Sequence, residues 1–489
     1  MKIILLAIRS LMRFRLYTVI NVLGLALSLA CVIIISRYVY SEATTDHFNK
    51  NHERMFLSVR HWGDQKQKAV LFTTDNALLK KNYVNPLDIP EIEQRTSFVS
   101  ISNTEIKVDE KLFKAHILAT DTFFLRILDY PLIAGNREQL LNTPQEAVVT
   151  QQFARRLFGK ENPVGKSFDY NGNILTIKGI IGETETQSSL HFDVLISKAL
   201  QWRWPPVNYF SIALAHPGVD SKQINEKLKG NFHKAGSKSF FFQVMPLDKL
   251  YMDKAIDKGQ DTFRQGNADS VKILTFVAIL LLVIGVFNFI HISSVVIIKR
   301  GRELGMKKVF GARPMQLFIQ LYAENWVLTA IALFIGWVFI EITQPIQVNQ
   351  LDIIATVGAT FNLLLTLGLL IGLPLLITLY PFFNYSYRQT IRSLQGITPG
   401  KNKIGSRSLF LVAQYVITCC LIISSLFFMK QLDFMLNADL GYRTQDIIKA
   451  WFIRPTSQMS YGEKDKKRSE AVSSAIRDAI QASPLFQSF

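Results

Sequence analysis

Apolar residues are concentrated in five long runs, and the rest of the chain is largely polar. Each run is long enough to cross a bilayer as a helix, which takes about 20 residues. The predicted spans are Thr18–Tyr40, Val271–Ile298, Asn325–Ile342, Ala355–Tyr380 and Leu409–Met429. More than 200 mostly polar residues separate the first two spans, and a polar tail follows the fifth. The pattern therefore predicts a multi-span membrane protein with a large water-exposed domain.

Short strand and helix patterns alternate between the first two spans. "EAVVTQQFARRLFG" predicts a strand followed by a helix, whereas "ILTIKGIIGE" and "HFDVLIS" predict strands. "SKQINEKLKGNF" predicts a further helix. This alternation favours an α+β module or a pair of them. The predicted fold class is thus membrane α-helical, with about five transmembrane helices and an α+β extracytoplasmic domain.

The net charge of +17 is concentrated beside the spans. Residues 1–17, 296–320 and 384–408 together hold 15 basic residues and one acid. These three segments lie on one side of the membrane if the spans alternate, and an excess of Lys and Arg marks the cytosolic side. A nucleic-acid site would instead need the charge on a folded patch with interleaved aromatics. The charge therefore predicts membrane topology and no nucleic-acid partner.

The topology divides the chain into segments on the two sides of the membrane. The expected order is a cytosolic basic N-terminus with the first span (1–41), an extracytoplasmic core domain (42–270), three spans (271–383) that include a cytosolic loop (299–324), a cytosolic basic linker (384–408), the fifth span (409–430) and the start of a second extracytoplasmic domain (431–489). We expect a multi-pass protein of a bacterial inner membrane, with its large domain in the periplasm.

The stretch "GKENPVGKS", residues 159–167, resembles a phosphate-binding loop but departs from it in two ways. Five residues instead of four separate Gly159 from Gly165, and Pro163 has no N–H to donate. The stretch follows a helical pattern and leads into a predicted hairpin at Asn171–Gly172, whereas a phosphate loop follows a buried strand. The sequence therefore predicts a surface loop here.

Other candidate chemistry is weak. The hydrolase and metalloprotease motifs are absent, and the three cysteines lie inside predicted spans without His or acidic neighbours. Polar residues within the spans are expected to hydrogen-bond between helices rather than to carry ions; they are Asn21, Asn288, His291 and Asn362. The sequence predicts no catalytic residue, no metal site and no cofactor.

The predicted cytosolic loop "KRGRELGMKKVFGARPMQLFIQLYAENW" has a pattern typical of a helix, a turn and a second helix. Gly301 to Phe310 can form a short helix, with Leu304, Val309 and Phe310 available for burial. Gly311 suits the left-handed position after a helix, and Pro314 suits the first turn of the next one. Such an element can pass force from a cytosolic partner into the bilayer. From the residues alone, an ordinary basic loop that only fixes topology is equally acceptable.

This loop resembles the one between the second and third spans of MacB/FtsX-type ABC transporter permeases. The positions that match the family pattern are Arg302, Glu303, Gly305, Lys308, Gly311, Ala312 and Glu324, and Lys307 belongs to the same basic stretch. "FFLRILDYPLIAG", "AVVTQQFARRLFG" and "NPVGKSF" resemble the family's periplasmic core domain. The resemblance implies that the eight residues couple the chain to an ATPase.

The resemblance implies a non-catalytic permease subunit that is driven by a separate cytosolic ATPase dimer. ATP binding would move the spans and the outer domain, for export or extraction of a substrate. One alternative is a membrane regulator that activates a cell-wall hydrolase or other periplasmic partner without moving cargo. A third hypothesis is an anchored sensor that has no ATPase. A periplasmic or outer-membrane partner is compatible with the first two.

The sequence from Leu409 to Phe452 resembles the start of a second copy of the first span and of the segment that follows it. Long members of the family contain the outer domain and the spans twice. The chain would then end within the second outer domain, and we expect it to need a second permease copy or a chain that supplies the other half.

Overall fold

The structure is a computed structural model, and it describes residues 15–62, 69–71, 87–203, 210–228, 233–235, 238–254, 256–257, 263–351, 358–386, 406–438, 474–475 and 477–478. Its helices are α1 (Arg15–Ala43), α2 (Phe124–Ile127), α3 (Gln151–Phe158), α4 (Ser221–Leu228), α5 (Leu247–Met252), α6 (Ala268–Lys299), α7 (Gly301–Val309), α8 (Pro314–Leu351), α9 (Ala359–Ser386) and α10 (Ser406–Asn437).

The strands all lie between α1 and α6. They are β1 (Met55–Trp62), β2 (Ala69–Leu71), β3 (Ile92–Val108), β4 (Lys111–Thr120), β5 (Leu132–Ala134), β6 (Glu146–Thr150), β7 (Ser167–Tyr170), β8 (Asn173–Ile181), β9 (Val194–Ser197), β10 (Phe210–Ala215), β11 (His233–Ala235), β12 (Lys238–Pro246) and β13 (Ile256–Asp257). The chain divides into a helical unit, which holds α1 and α6 to α10, and a sheet unit, which holds the strands and α2 to α5.

Five helices of the helical unit are long and apolar enough to cross a membrane: Arg15–Ala43, Ala268–Ile297, Pro314–Gln344, Ala359–Leu379 and Leu411–Asn437. The predicted number of spans is therefore confirmed. The helix that contains the third predicted span begins at Pro314 and runs through Asn325 without a break, as the sequence predicted. The predicted linker at 384–408 and the polar tail lie largely outside the described residues.

The first helix forms the centre of the helical unit. Leu25, Leu29 and Ile33 of α1 are buried among apolar side chains of α6, α8 and α9. The Ser28 hydroxyl donates to the Leu281 carbonyl of α6 at 2.8 Å. A Cβ at Gly285 would lie 2.4 Å from Ser28 Oγ, so the close approach of α1 and α6 requires a glycine there. Small residues at such crossings are typical of membrane helices.

The sheet unit is built on a mixed sheet of 13 strands. Its main order is β11-β12-β1-β10-β3-β4-β9-β6-β8-β5, and β2, β7 and β13 pair off this path. The pairs β4/β9, β6/β8 and β13/β2 are parallel, and the other pairs are antiparallel. Three apolar clusters fill the unit: one around Phe98 and Phe124, one around Phe153 and Phe168, and a smaller one around Phe56. The predicted α+β domain is confirmed.

The loop at 159–167 joins α3 to β7, and the predicted hairpin follows it. Tyr170 pairs with Asn173 across the Asn171–Gly172 turn. The Gly165 N–H donates to the Ile177 carbonyl at 2.8 Å, and the Lys166 N–H donates to the Pro163 carbonyl at 3.1 Å. These N–H groups already have partners, so they do not form a cradle for a phosphate. The prediction of an ordinary loop is confirmed.

A buried carboxyl group lies where the chain enters the sheet unit. Asp46 is 2% exposed, and its Oδ1 accepts the Ser189 N–H at 2.9 Å and the Ser188 hydroxyl at 3.3 Å. Asp46 Oδ2 has no hydrogen-bond partner among the described residues. Burial raises the pKa of Asp46 to about 6, and the serine hydrogen bonds only partly offset this effect.

The first prediction concerns the pH dependence that Asp46 gives to stability. Between about pH 4 and pH 6 the folded chain keeps a proton that the unfolded chain has released, so the free energy of unfolding falls as pH rises. The effect is about 3 kcal/mol in total. We expect Asp46→Asn to raise the melting temperature at pH 7.5 and to leave it nearly unchanged at pH 4, measured on the full chain in detergent.

The exposed residue Asp109 offers a matched control, because it lies in the turn between β3 and β4 and tolerates asparagine. Asp109→Asn should follow the wild-type melting curve at both pH values. A stabilisation by Asp46→Asn that is the same at both pH values would contradict the prediction.

Candidate functional site

Residues 299–324, called the coupling segment here, form two helices joined by a tight turn. Gly311 has φ +86°, and its N–H donates to the Lys308 carbonyl at 3.0 Å. The Ala312 N–H donates to the Lys307 carbonyl at 2.9 Å. This pair of bonds is the Schellman ending of a helix, which needs a left-handed residue after the cap. The predicted role of Gly311 is confirmed.

The second helix of the segment starts as the sequence predicted. Pro314 is the first residue of α8, where its missing N–H has no cost. The Gln316 side chain accepts the Arg313 N–H at 3.0 Å, which is the backward bond of a capping box. Ala312 packs against a small apolar cluster of Ile297, Leu317 and Leu321, so the turn also has an apolar side. The turn is thus fixed on both sides by local bonds and packing.

Five polar side chains, called the charged cluster here, connect the end of α6 with α7 and α8. Arg300 donates to both carboxylate oxygens of Glu324, at 2.6 and 3.2 Å, and to both oxygens of Glu303, at 3.3 and 3.4 Å. Lys307 lies 3.2 Å from Glu303 and 3.0 Å from Gln320. Gln320 donates to Glu324 at 3.1 Å, which closes the cluster.

Hydrogen bonds and charge within the cluster favour the charged forms of Arg300 and Glu303 although the cluster is partly buried. Arg300 and Glu324 are each 6% exposed. Burial alone would raise the pKa of Glu303, but hydrogen bonds and charge from Arg300 and Lys307 outweigh it and lower that pKa. Burial would likewise lower the pKa of Arg300, and its bonds to Glu324 and Glu303 raise it instead. Both shifts favour the charged forms of Arg300 and Glu303.

The opposite side of α7 presents apolar side chains to solvent. Met306, Val309 and Phe310 follow one another at helical spacing and are 51%, 64% and 88% exposed. Met315, in the first turn of α8, is 62% exposed. These four residues are called the apolar face below. Val309 and Phe310 are therefore not buried within the described chain and remain available for burial against another surface, whereas the Leu304 side chain lies outside the described positions.

The structure brings together three of the predicted site residues. Glu303, Lys307 and Glu324 are in the charged cluster, whereas Ala312 packs against the apolar cluster of Ile297, Leu317 and Leu321. Gly305 is buried, whereas Lys308 is half-exposed and Gly311 forms the turn. Arg302 lies in α7, and its side chain is outside the described positions.

Sequence reasoning missed Arg300 and Gln320, which hold the cluster together. The basic residues around Arg300 indicated positive charge in this segment, but they did not indicate which carboxylate pairs with Arg300. Glu324 is 24 positions further along the chain, so local spacing does not reveal the pair.

The fold and this segment define a class of protein, namely a multi-span permease with a large α+β domain inserted between its first two spans. Residues 18–231 match the family described as the MacB-like periplasmic core domain. Residues 275–390 match the FtsX-like permease C-terminal family. The chain therefore belongs to the MacB/FtsX-type ABC transporter permeases. With its five apolar helices, it is a multi-pass protein of the inner membrane.

Several curated proteins are distantly similar to the chain. The probable syringafactin export ATP-binding/permease protein SyfD of Pseudomonas syringae is 21% identical over 74% of this chain and 55% of its own length. The macrolide export ATP-binding/permease protein MacB 2 of Aeromonas hydrophila is 22% identical over 70% of this chain and 54% of its own length. The chain thus spans about half the length of the curated relatives it matches.

Two solved structures match the chain in part. A domain of a putative permease protein from Porphyromonas gingivalis is 19% identical, covers 43% of this chain and 95% of that one, and has a TM-score of 0.32. The periplasmic region of MacB from Actinobacillus actinomycetemcomitans is 15% identical, covers 40% of this chain and 90% of that one, and has a TM-score of 0.28.

The second prediction tests the buried pair of the charged cluster. Glu324→Leu leaves the Arg300 guanidinium buried without its main partner, which costs about 3–5 kcal/mol. We expect a clear fall in the melting temperature of the detergent-solubilised chain. The double variant Arg300→Met/Glu324→Leu removes both charges and should regain most of the loss.

Lys307→Met provides the control within the same cluster. Its pair with Glu303 is more than a third exposed at both ends, so its loss should cost no more than about 1 kcal/mol. Equal melting temperatures for wild type and Glu324→Leu would contradict the claim that the buried Arg300–Glu324 pair stabilises the fold.

Proposed function

We propose that this chain is the permease subunit of an ABC transporter and that it passes mechanical work from a cytosolic ATPase to its outer domain. A separate ATPase dimer binds the coupling segment, and ATP binding shifts the attached helices. A partner can move the permease only if it binds its two states with different affinity. The chain itself supplies no catalysis.

The charged cluster carries this proposal. It joins the end of α6 to α8 through one buried ion pair and to α7 through half-exposed ion pairs, so a displacement of α7 acts on two spans at once. A loop that only fixed topology would not need a bidentate pair at 6% exposure. Of the predicted coupling residues, Glu303, Lys307, Glu324, Gly305 and Ala312 shape the segment.

The binding surface for the ATPase is the apolar face together with the basic residues beside it. Phe310 is the most exposed of its large side chains, at 88%. Lys308 and Arg313 flank it in the sequence, and Arg302 adds charge to the same helix. An exposed apolar group bordered by polar residues is a common mark of a protein–protein contact. Gly311 sets the angle at which α7 meets α8.

The direction of the chain follows from its charges. We infer that residues 1–17, 299–324 and 384–408 are cytosolic and that residues 42–270 are periplasmic. The fifth span, 409–430, leads into residues 431–489 on the periplasmic side. Since an ATPase dimer offers two binding surfaces, a second permease copy or a chain that supplies the other half occupies the second one.

The names of the relatives favour export over activation of a cell-wall hydrolase. The printed names of the first two describe export proteins that join ATP-binding and permease parts. This chain matches about half of their length, so the ATP-binding part of the machine lies on a partner in our proposal. The cargo of those relatives is not transferred to this chain.

The third prediction tests the ATPase surface. Met306→Ala/Phe310→Ala removes the centre of the apolar face without touching the charged cluster. If these side chains form the centre of the contact, the loss is about 2–4 kcal/mol, or at least ~30-fold in affinity. We expect ATPase activity that co-purifies with the tagged chain from its native membranes to fall to background.

The control removes equally exposed apolar side chains from the span region of α8. Ile331 and Phe334 are 43% and 71% exposed. Ile331→Ala/Phe334→Ala should keep the co-purified ATPase activity at the wild-type level. Retention of full activity by Met306→Ala/Phe310→Ala would refute the proposed surface and would favour an anchored sensor.

The fourth prediction tests topology. In a cysteine-free background, Glu110→Cys lies at the exposed β3–β4 turn, and Lys308→Cys lies in the coupling segment. A membrane-impermeant maleimide should label Glu110→Cys in intact spheroplasts and Lys308→Cys only after lysis. Labelling of Lys308→Cys before lysis would reverse the topology and exclude a cytosolic ATPase at this segment.

A further inference from the structure

A small polar cavity lies within the helical unit, between α1, α6 and α8. Its volume is about 50 Å³. Arg300 and Glu324 of the charged cluster line it, and so do Asn21 of α1 and Ser293 of α6. The other lining residues include Leu321 and Leu328 of α8. The cavity therefore touches the first span on one side and the charged cluster on the other.

Asn21 is the observation that points to an occupant. Its side chain is 4% exposed, and Oδ1 has no hydrogen-bond partner among the described residues. A buried carbonyl oxygen without a partner is costly, and such groups are usually satisfied by ordered water when protein groups are out of reach. Since Asn21 lines the cavity, an occupant of the cavity can supply the missing donor.

The chemistry of the lining excludes most kinds of occupant. The Arg300 guanidinium would repel a cation, and the Glu324 carboxylate would repel an anion. An apolar chain would leave Asn21 Oδ1 without a donor. A neutral molecule that both donates and accepts hydrogen bonds fits the lining. A water molecule needs about 10–15 Å³ of such a cavity, so about three waters fit.

We propose that this cavity is a water-binding site in which Asn21 Oδ1 accepts a hydrogen bond from an ordered water, and that the water joins α1 to the charged cluster. Further along α1, its contact with the neighbouring helices includes a direct hydrogen bond and an apolar cluster. Ser28 bonds directly to the Leu281 carbonyl, and Leu25, Leu29 and Ile33 are buried among apolar groups.

A hydrated cavity would allow α7 to move relative to α1. This consequence rests on the proposed function. Water can exchange partners when helices shift, whereas a direct side-chain bond must break. The charged cluster can therefore move with α7 relative to Asn21 without leaving a buried polar group unpaired. The direct bond of Ser28 to the Leu281 carbonyl and the apolar residues around it hold this part of α1 against α6.

Radiolytic hydroxyl-radical labelling of the full chain in nanodiscs tests the hydration directly. Leu321 and Leu328 line the cavity and are 4% and 6% exposed. Leu333, on the same helix and 3% exposed, is part of the apolar cluster and does not line the cavity. We expect Leu321 and Leu328 to be oxidised at least fivefold faster than Leu333, with ¹⁸O incorporated from labelled water.

Asn21→Leu should reduce the oxidation of Leu321 and Leu328 to the Leu333 level, because it removes the acceptor and fills the space. Ser293→Val narrows the same cavity from α6 and provides a second variant if Asn21→Leu does not fold. Oxidation of Leu321 and Leu328 no faster than Leu333 in the wild type would overturn the water site. Fast oxidation that persists in both variants would overturn the role of Asn21.

The labelling needs no ATPase, so its result is independent of the proposed function. A separate measurement addresses movement. Asn21→Leu should keep the co-purified ATPase protein and lower its stimulated activity at least threefold. Unchanged activity in a variant with a dry cavity would overturn the link to movement and leave the ATPase contact intact.

Discussion

The pair of Arg300 and Glu324 is the constraint on which the helical unit depends. Both charges are removed from water, and neither can stay buried without the other. The pair therefore holds the end of α6 against α8. Glu303 bonds to Arg300, Gln320 bonds to Glu324, and Lys307 bonds to both Glu303 and Gln320, so these bonds hold α7 against the pair. Because α7 is held in this way, its remaining side faces outward with large apolar groups.

Local rules explain how much of this segment the sequence revealed. Gly311 and Pro314 could be assigned from the chain alone, because a left-handed turn residue and a first-turn proline act within a few residues. Hydrophobic spacing likewise located the five spans. The choice of Glu324 as partner of Arg300 could not be predicted, since it depends on which helices lie together. The spacing of Val309 and Phe310 also places them on one apolar side of the helix, but spacing does not reveal which surface packs against that side.

The sheet unit shows the same division between local and distant effects. The Asn171–Gly172 hairpin and the strand–helix pair of β6 and α3 follow from short patterns, and both were predicted. The order of the 13 strands was not predictable, because parallel pairs such as β4 with β9 join segments more than 70 positions apart. Asp46 is a further case, because nothing in its neighbourhood in the sequence indicates a carboxyl group shielded by Ser188 and Ser189.

The exposure of Phe310 has a consequence for how cells handle this protein. If the proposed ATPase surface is right, a copy that has inserted into the membrane without an ATPase displays an aromatic side chain and its apolar neighbours to water. Chaperones and quality-control proteases recognise surfaces of this kind, so an unassembled copy is open to removal while an assembled one is shielded. Subunit stoichiometry would then be set by degradation of the excess as well as by synthesis.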